Sequence, residues 1–283
     1  MNLLPHLYQA RETPLRVGIV IIGDEILSGK RADKHLPKLI ELLGARGLQL
    51  EFADYVGDSP ARITATLKRA FDSGEVVFSC GGIGATPDDH TRQCAAAALG
   101  RALQLHPEAA VLIRQRMQDL ALEKGLAYEP EREDNQQRLN MGVFPEGASI
   151  IPNPYNKIAG FSCAGPNGGG VHFVPGFPVM AWPMMEWVLD SYYADLFQRL
   201  AYEERSVIVF GAMEAALTPL MEQIEAAFPG ARIFSLPSVD HPEYGRHIEL
   251  GVKGAPQLTQ AAYAALLEGL KALSSSLGPE LVR

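Results

Sequence analysis

The sequence predicts an α/β protein: a three-layer, mostly parallel sheet with helices on both faces, followed by a small α+β domain. Three observations predict it. Short apolar runs rich in β-branched residues alternate with amphipathic stretches of ten or more residues, the pattern of buried parallel strands and their crossover helices. Three of these runs lead into glycine-containing loops. Past residue 206 the alternation restarts in another order: strand, helix, two strands, helix.

The first run, Arg16 to Ile22, reads as a buried strand feeding Gly23-Asp24-Glu25. Asp33 can cap a helix to about Arg46, with Leu36, Leu39, Ile40 and Leu43 on one face and Gly47 closing it. Leu48 to Val56 is the next strand. Ser59-Pro60 supplies a cap and a first-turn proline for a helix to about Asp72. Val76 to Ser79 is a third buried strand, followed by Cys80-Gly81-Gly82-Ile83-Gly84 and a helix from about Asp89 to Leu99. Pro107 to Lys124 is a further helix. Between Asp134 and Gly176 the chain is rich in Pro, Gly and Asn, with short strands at Ala148–Ile151 and Val171–Val174 and a hairpin loop at Pro166 to Gly170. Val179 to Leu200 reads as a long helix striped with Trp182, Met185, Val188 and Leu189, and an exposed stripe there would favour association. The second domain follows as strand Val207–Phe210, helix Glu214–Phe228, strands Ile233–Leu236 and His247–Val252, and helix Gln257–Ser275. This places one domain at 14–200 and a βαββα domain at 206–283, with the boundary near Ala201–Ser206.

Composition excludes several classes. A net charge of −8 argues against a large nucleic-acid footprint, which needs clustered Lys and Arg. Cys80, Cys94 and Cys163 are odd in number and widely spaced, so neither a disulfide framework nor a structural zinc site is expected, and a cytoplasmic location fits. The opening segment MNLLPHLYQARETPLR lacks a basic start followed by an apolar core, so it is not read as a secretory signal. No apolar run approaches the ~20 residues of a membrane span.

Ligands of open α/β sheets bind beyond the carboxyl ends of the strands, which here means Gly23-Asp24-Glu25, Gly81 to Thr91 (GGIGATPDDHT) and Pro175-Gly176-Phe177-Pro178. Gly81, Gly82 and Gly84 allow a tight turn and close approach to a ligand, and the next helix would aim free N–H groups at the same space. Such a loop is equally compatible with a purely steric use of its glycines. Asp88 and Asp89 shift the balance, because adjacent carboxylates repel a bare anion but suit one accompanied by Mg²⁺ or a similar hard cation. The alternative for either is helix capping. His35 and Lys34 face the pocket or solvent. His90, His241 and His247 read as structural, and Cys80 as a small buried hydrophobe.

The ordered motifs GDEILSGK (Gly23–Lys30), YVGD (Tyr55–Asp58), GGIGATPDDHT (Gly81–Thr91) and VPGFPVM (Val174–Met180) resemble the molybdopterin-binding fold, in the form found in the N-terminal part of CinA-type competence/damage-inducible proteins. The resemblance runs from about Arg16 to Met185, and the tail from Ser206 resembles that family's KH-like domain. The chain departs from the family at several positions. Ala85 replaces a proline and Ile83 a leucine. Asp33-Lys34-His35 replaces Asn-Thr-Asn, Pro152 to Phe161 replaces a loop reading NPxGTAPGF, and Val179 stands in a glutamate position. The deamidase domain of longer CinA proteins is not in the sequence, so that activity is not expected.

The resemblance implies binding of a pterin or nucleotide phosphate with a divalent metal. Gly81, Gly82, Gly84 and Thr86 would cradle phosphate, Gly176 would be a further ligand contact, and Thr91 would either cap the helix or touch the ligand. Lys157, on an irregular loop that departs from the family, is a candidate phosphate contact by its charge and position alone. Asp24, Asp88 and Asp89 would hold metal, with Asp24 and Asp89 catalytic. Molybdopterin is a candidate ligand, and the relatives form homo-oligomers. Two rivals stand beside this reading: a metal-dependent ADP-ribose pyrophosphatase, and a non-catalytic ligand-binding module. From Ser206 onward there are five Lys/Arg against eight Asp/Glu and no basic Gly-x-x-Gly clamp, so the KH-like domain is not expected to bind RNA. No membrane partner is expected.

Overall fold

The computed structural model describes residues 15–197 and 203–283, which form two compact units that part after Phe197. Residues 1–14 and 198–202 lie outside the described residues, among them two of the six at the expected domain boundary. The expected long helix stops at Tyr192, short of Leu200, and residues 203–206 of the boundary already belong to a strand. No helix among the described residues is long and apolar enough to cross a membrane.

In the first unit, chain order runs β1 (Val17–Ile22), α1 (Asp24–Leu27), α2 (His35–Gly44), β2 (Leu50–Val56), α3 (Pro60–Ser73), β3 (Val76–Cys80), α4 (Thr91–Leu99), β4 (Leu103–Leu105), α5 (Pro107–Glu123), α6 (Glu133–Leu139), β5 (Val143–Pro145), β6 (Ser149–Ile151), β7 (Gly160–Ala164), β8 (Gly170–Val174) and α7 (Pro178–Tyr192). The main sheet has the order β2-β1-β3-β8-β7-β6. The first four strands are parallel; β7 runs antiparallel to β8, and β6 antiparallel to β7. The β7–β8 hairpin turns at Pro166 to Gly170, closed by Gly165 N–H donating to Gly169 O at 2.9 Å.

Every residue of β1 is buried, and its alternation divides the core. Val20 and Ile22 join Ile63, Leu67 and Phe71 of α3 and Cys94 of α4 on one face. Ile19 and Ile21 join Leu39 and Leu43 of α2 and Met184, Met185 and Val188 of α7 on the other. Phe144, Phe161 and Phe173 stack through the first of these cores at centroid distances of 4.6 and 4.3 Å. The expected three layers are present. The apolar stripe of α7 is spent on the core rather than exposed: Met185, Val188 and Leu189 are fully buried and Trp182 is half-buried, with only Phe177 and Val179 left bare at its start. Asp33 does cap α2, accepting from the amides of His35 (2.8 Å) and Leu36 (3.1 Å). Ser59 makes no side-chain cap bond, so Pro60 alone marks the start of α3.

The second unit is β9 (Glu203–Phe210), α8 (Glu214–Ala227), β10 (Arg232–His241), β11 (Gly245–Gly254), α9 (Pro256–Ala272) and β12 (Ser276–Val282). Its antiparallel sheet has the order β10-β11-β9-β12. The last strand extends the expected βαββα order. Gly278 and Pro279 argue against a strand there, but β12 lies at the sheet edge and its register shifts between Leu277 and Glu280, where a residue without a backbone donor is tolerated. Cys80, Cys94 and Cys163 are all buried and unpaired.

Candidate functional site

Strand register assembles the site. Ile22 is opposite Val56, Ile21 opposite Cys80, and Cys80 opposite Val174, so β1, β2, β3 and β8 end side by side. Their four following loops therefore leave the sheet on one edge. They frame a cleft of about 530 Å³ lined by Gly23, Glu25, Asp58, Gly81 to Thr86, Asp88, Asp89 and Gly176, with Ile26, Ile83, Met141, Ile158, Phe177 and Met180 as apolar wall.

The glycine loop is built to expose its amides. Gly81 and Gly82 have φ of 103° and 68°, and a Cβ at either would collide, with Ile22 O and with Thr91 Oγ1 respectively. Thr91 is fully buried; its hydroxyl donates to Gly81 O (3.0 Å) and its amide to Gly82 O (3.0 Å). The buried Arg92 guanidinium donates to Ile83 O. With the carbonyls turned inward and satisfied, the amides of Gly82, Ile83, Gly84 and Ala85 donate to no protein acceptor among the described residues. Successive unpaired amides in a loop with left-handed glycines form a concavity of positive potential.

The carboxylates are held differently from one another. Asp89 Oδ2 accepts from Thr86 N (2.8 Å) and Thr86 Oγ1 (2.6 Å), closing the Thr86–Asp89 turn. Gly84 packs against it: a Cβ there would lie 2.5 Å from the same oxygen. Asp24 and Asp58 form a reciprocal clasp between the β1 and β2 loops, Asp24 N donating to Asp58 Oδ2 (2.9 Å) and Asp58 N to Asp24 Oδ1 (3.1 Å). Burial pushes the Asp58 carboxyl up, the bond from the Asp24 amide draws it down, and the carboxylates of Asp24, Glu25 and Asp88 push it up further. Among the described residues, no three His, Cys, Asp or Glu side chains converge closely enough to form a ready-made metal cage.

Some expected contacts fall elsewhere. Asp24 borders a shallow neighbouring groove with Leu27, Ser28 and Lys30 and reaches the cleft only through Asp58. Thr91 is sealed behind the glycines and braces the loop instead of facing a ligand. Thr86 has both its amide and its hydroxyl engaged by Asp89. Lys157, with φ of 64°, turns away from the cleft and pairs with Asp119 at 2.5 Å. Its loop is braced by Asn153 and Asn156, which bind the Ile158 carbonyl (2.9 Å) and amide (3.0 Å). His35, only 5% exposed, lies in the cleft wall, where its Nε2 sits 3.1 Å from Gly176 O; a carbonyl only accepts, so Nε2–H donates, and burial pulls the pKa of the ring down. Asp58, Arg31 and Phe177 also line the cleft, although only Asp58 belongs to a carboxylate-bearing motif (YVGD) that could have flagged it from sequence.

Residues 18–195 match the family described as "Probable molybdopterin binding domain". The chain is 30% identical over 221 residues to a CinA-like protein of Syntrophotalea carbinolica, covering 76% of this chain and 51% of that protein. It is 29% identical to a CinA-like protein of Mycobacterium tuberculosis, over 76% of this chain and 50% of that one. The chain thus spans about half the length of these curated relatives. A crystal structure of the protein CinA, of unknown function, from Thermoplasma acidophilum superposes with a TM-score of 0.53 at 25% identity, covering 62% of this chain and 98% of that one. With a family match across the whole parallel sheet and the cleft, the chain belongs to the molybdopterin-binding-domain family as a CinA-type member.

Proposed function

We propose that the cleft binds the phosphate ester of a planar heterocycle, a pterin or a nucleotide, together with a divalent cation. The observation that carries this reading is the row of free amides from Gly82 to Ala85, set beside Asp58, Asp88 and Asp89 on the edge where the parallel strands end. The cleft is far larger than one phosphate needs, and its apolar wall of Ile26, Ile83, Met141 and Met180 suits a ring.

The carboxylates fit a cation that arrives with the phosphate. Mg²⁺ takes one or two protein carboxylates and completes its shell with phosphate oxygens and water, so three converging side chains are not required. Asp88 and Asp89, with Asp58 and its partner Asp24, would hold it. When bound, the cation would neutralise phosphate charge and polarise the phosphoryl group. The chain's own contribution is to orient: the glycine amides fix one phosphoryl group, Thr86 holds the Asp89 carboxylate, and the Asp24–Asp58 clasp sets the spacing of two loops.

ADP-ribose pyrophosphatase activity is the enzymatic form of this reading, in which Asp89 and Asp58, the latter held by Asp24, position the attacking water. Incubation with ADP-ribose and Mg²⁺, Mn²⁺ or Ni²⁺, followed by assay of AMP, tests it. AMP release that depends on metal supports the enzyme. Metal-dependent binding without AMP release supports the ligand-binding module, and no binding of either a nucleotide or a pterin phosphate rejects the site. The same reading has copies of the chain associating, which sedimentation velocity tests directly.

A further inference from the structure

The described residues lining the cleft include four carboxylates, Glu25, Asp58, Asp88 and Asp89, and a single arginine or lysine, Arg31. The buried His35 is engaged with the Gly176 carbonyl, and the buried Arg92 is committed to the Ile83 carbonyl. Arg31 is exposed and forms no ion pair among the described residues, although four acids share its cleft. Its backbone is pinned, the Arg31 amide donating to Glu25 O at 3.0 Å. Its guanidinium carbon rests 5.9 Å from the centre of the Phe177 ring, and that ring, 56% exposed, stands just before α7 on the opposite loop.

This geometry has a chemical consequence. A guanidinium laid against an aromatic face loses little hydration there, while its in-plane N–H edges stay free to donate to an oxyanion in pairs. The ring also restrains a long side chain in advance, which lowers the ordering cost when a ligand is gripped. The glycine amides have room for one phosphoryl group, and the acids around them discourage a second that lacks a counter-charge.

We propose that Arg31, propped on Phe177, grips a second anionic group of the ligand, so that the cleft selects compounds with two phosphoryl groups over those with one. The inference rests on the phosphate-ester reading above and assigns it a specificity-determining pair.

Isothermal titration calorimetry of the full chain with Mg²⁺, using ADP and AMP as probes, tests it. Wild type should bind ADP more tightly than AMP. Arg31→Ala should weaken ADP roughly 10- to 100-fold, the loss of a charge-assisted contact, and leave AMP nearly unchanged. Arg31→Lys, which keeps the charge but not the fork, should recover only part of the loss, and Phe177→Leu should fall between wild type and Arg31→Ala. Melting without ligand serves as the fold control for all three. If wild type binds but Arg31→Ala weakens both probes equally, or neither, this assignment is overturned while the phosphate-ester reading stands. If wild type binds neither probe, this assignment is overturned, and the phosphate-ester reading falls with it only if a pterin phosphate also fails to bind.

Discussion

At the scale of single residues, Asp89 has two separable jobs. Its carboxylate closes the Thr86–Asp89 turn and also places a charge in the cleft. Asn keeps an acceptor oxygen for Thr86 and removes the charge. Asp89→Asn should therefore leave the melting temperature nearly unchanged without ligand, yet lose most of the metal-dependent stabilisation by ADP-ribose. Asp89→Ala abandons the turn as well and should cost on the order of 1 kcal/mol of stability, measured by urea unfolding. A mutant that melts as low as Asp89→Ala but binds normally would make Asp89 purely structural. His172 offers a second residue-scale test. It is fully buried, bonded to Ser162 Oγ and Tyr193 OH at 2.7 Å each, and burial pulls its pKa down to about 3. The unfolded chain takes up that proton near pH 6.5 and the folded chain does not, so stability falls as pH drops from about 6.5 toward 3. The slope from this residue is about 1.4 kcal/mol per pH unit. Replacing it with Gln should flatten the dependence of unfolding free energy on pH between 6 and 4.5. An unchanged slope would rule His172 out as its source.

At the scale of elements, the loop after β3 is under steric control that a comparison of two glycines exposes. Gly29 and Gly82 both have positive φ, 72° and 68°, but a Cβ at Gly29 meets open space while one at Gly82 meets Thr91. Gly29→Ala should cost only the left-handed backbone penalty, about 1–2 kcal/mol, and Gly82→Ala clearly more in the same urea titration. Equal costs would mean that the loop relaxes freely. The parallel strands and this loop were legible in the sequence because a β-branched run that stops at a glycine is a local signal. β7 and β12 were not: Gly160-Phe-Ser-Cys-Ala carries little β-branched character, and Gly278-Pro279 signals a turn until the sheet edge absorbs it. Site residues divide the same way. The amides of Gly82 to Ala85 follow from local order, whereas the Asp24–Asp58 clasp, His35 against Gly176 and Arg31 over Phe177 depend on loops that only the strand register brings together. Lys157 and Thr91 look like ligand contacts in the sequence because nothing local reveals that Asp119 claims one and the Gly81 and Gly82 carbonyls the other.

At the scale of the whole molecule, acidity sets what the surface can attract. The chain carries −8 overall, and the second unit adds to this rather than offsetting it. An acidic second unit without a basic clamp should not hold a polyanion, so filter binding at moderate salt should show no sub-micromolar, sequence-selective affinity for RNA. Affinity in that range, lost as salt is raised, would refute the charge argument. Against this background an anion bound as proposed would depend on local dipoles and Arg31, because the net field of the protein opposes it.

The contact between Gly84 and the Asp89 carboxylate also constrains how this loop can vary over generations. A methyl group at position 84 finds its space already taken by the Asp89 oxygen, so Gly84→Ala should be costly in the native background and nearly neutral beside Asp89→Gly. The two positions are therefore epistatic. A lineage that first lost the carboxylate could then fill position 84, and from there the return of an aspartate at 89 would be blocked, a one-way step away from the charged cleft.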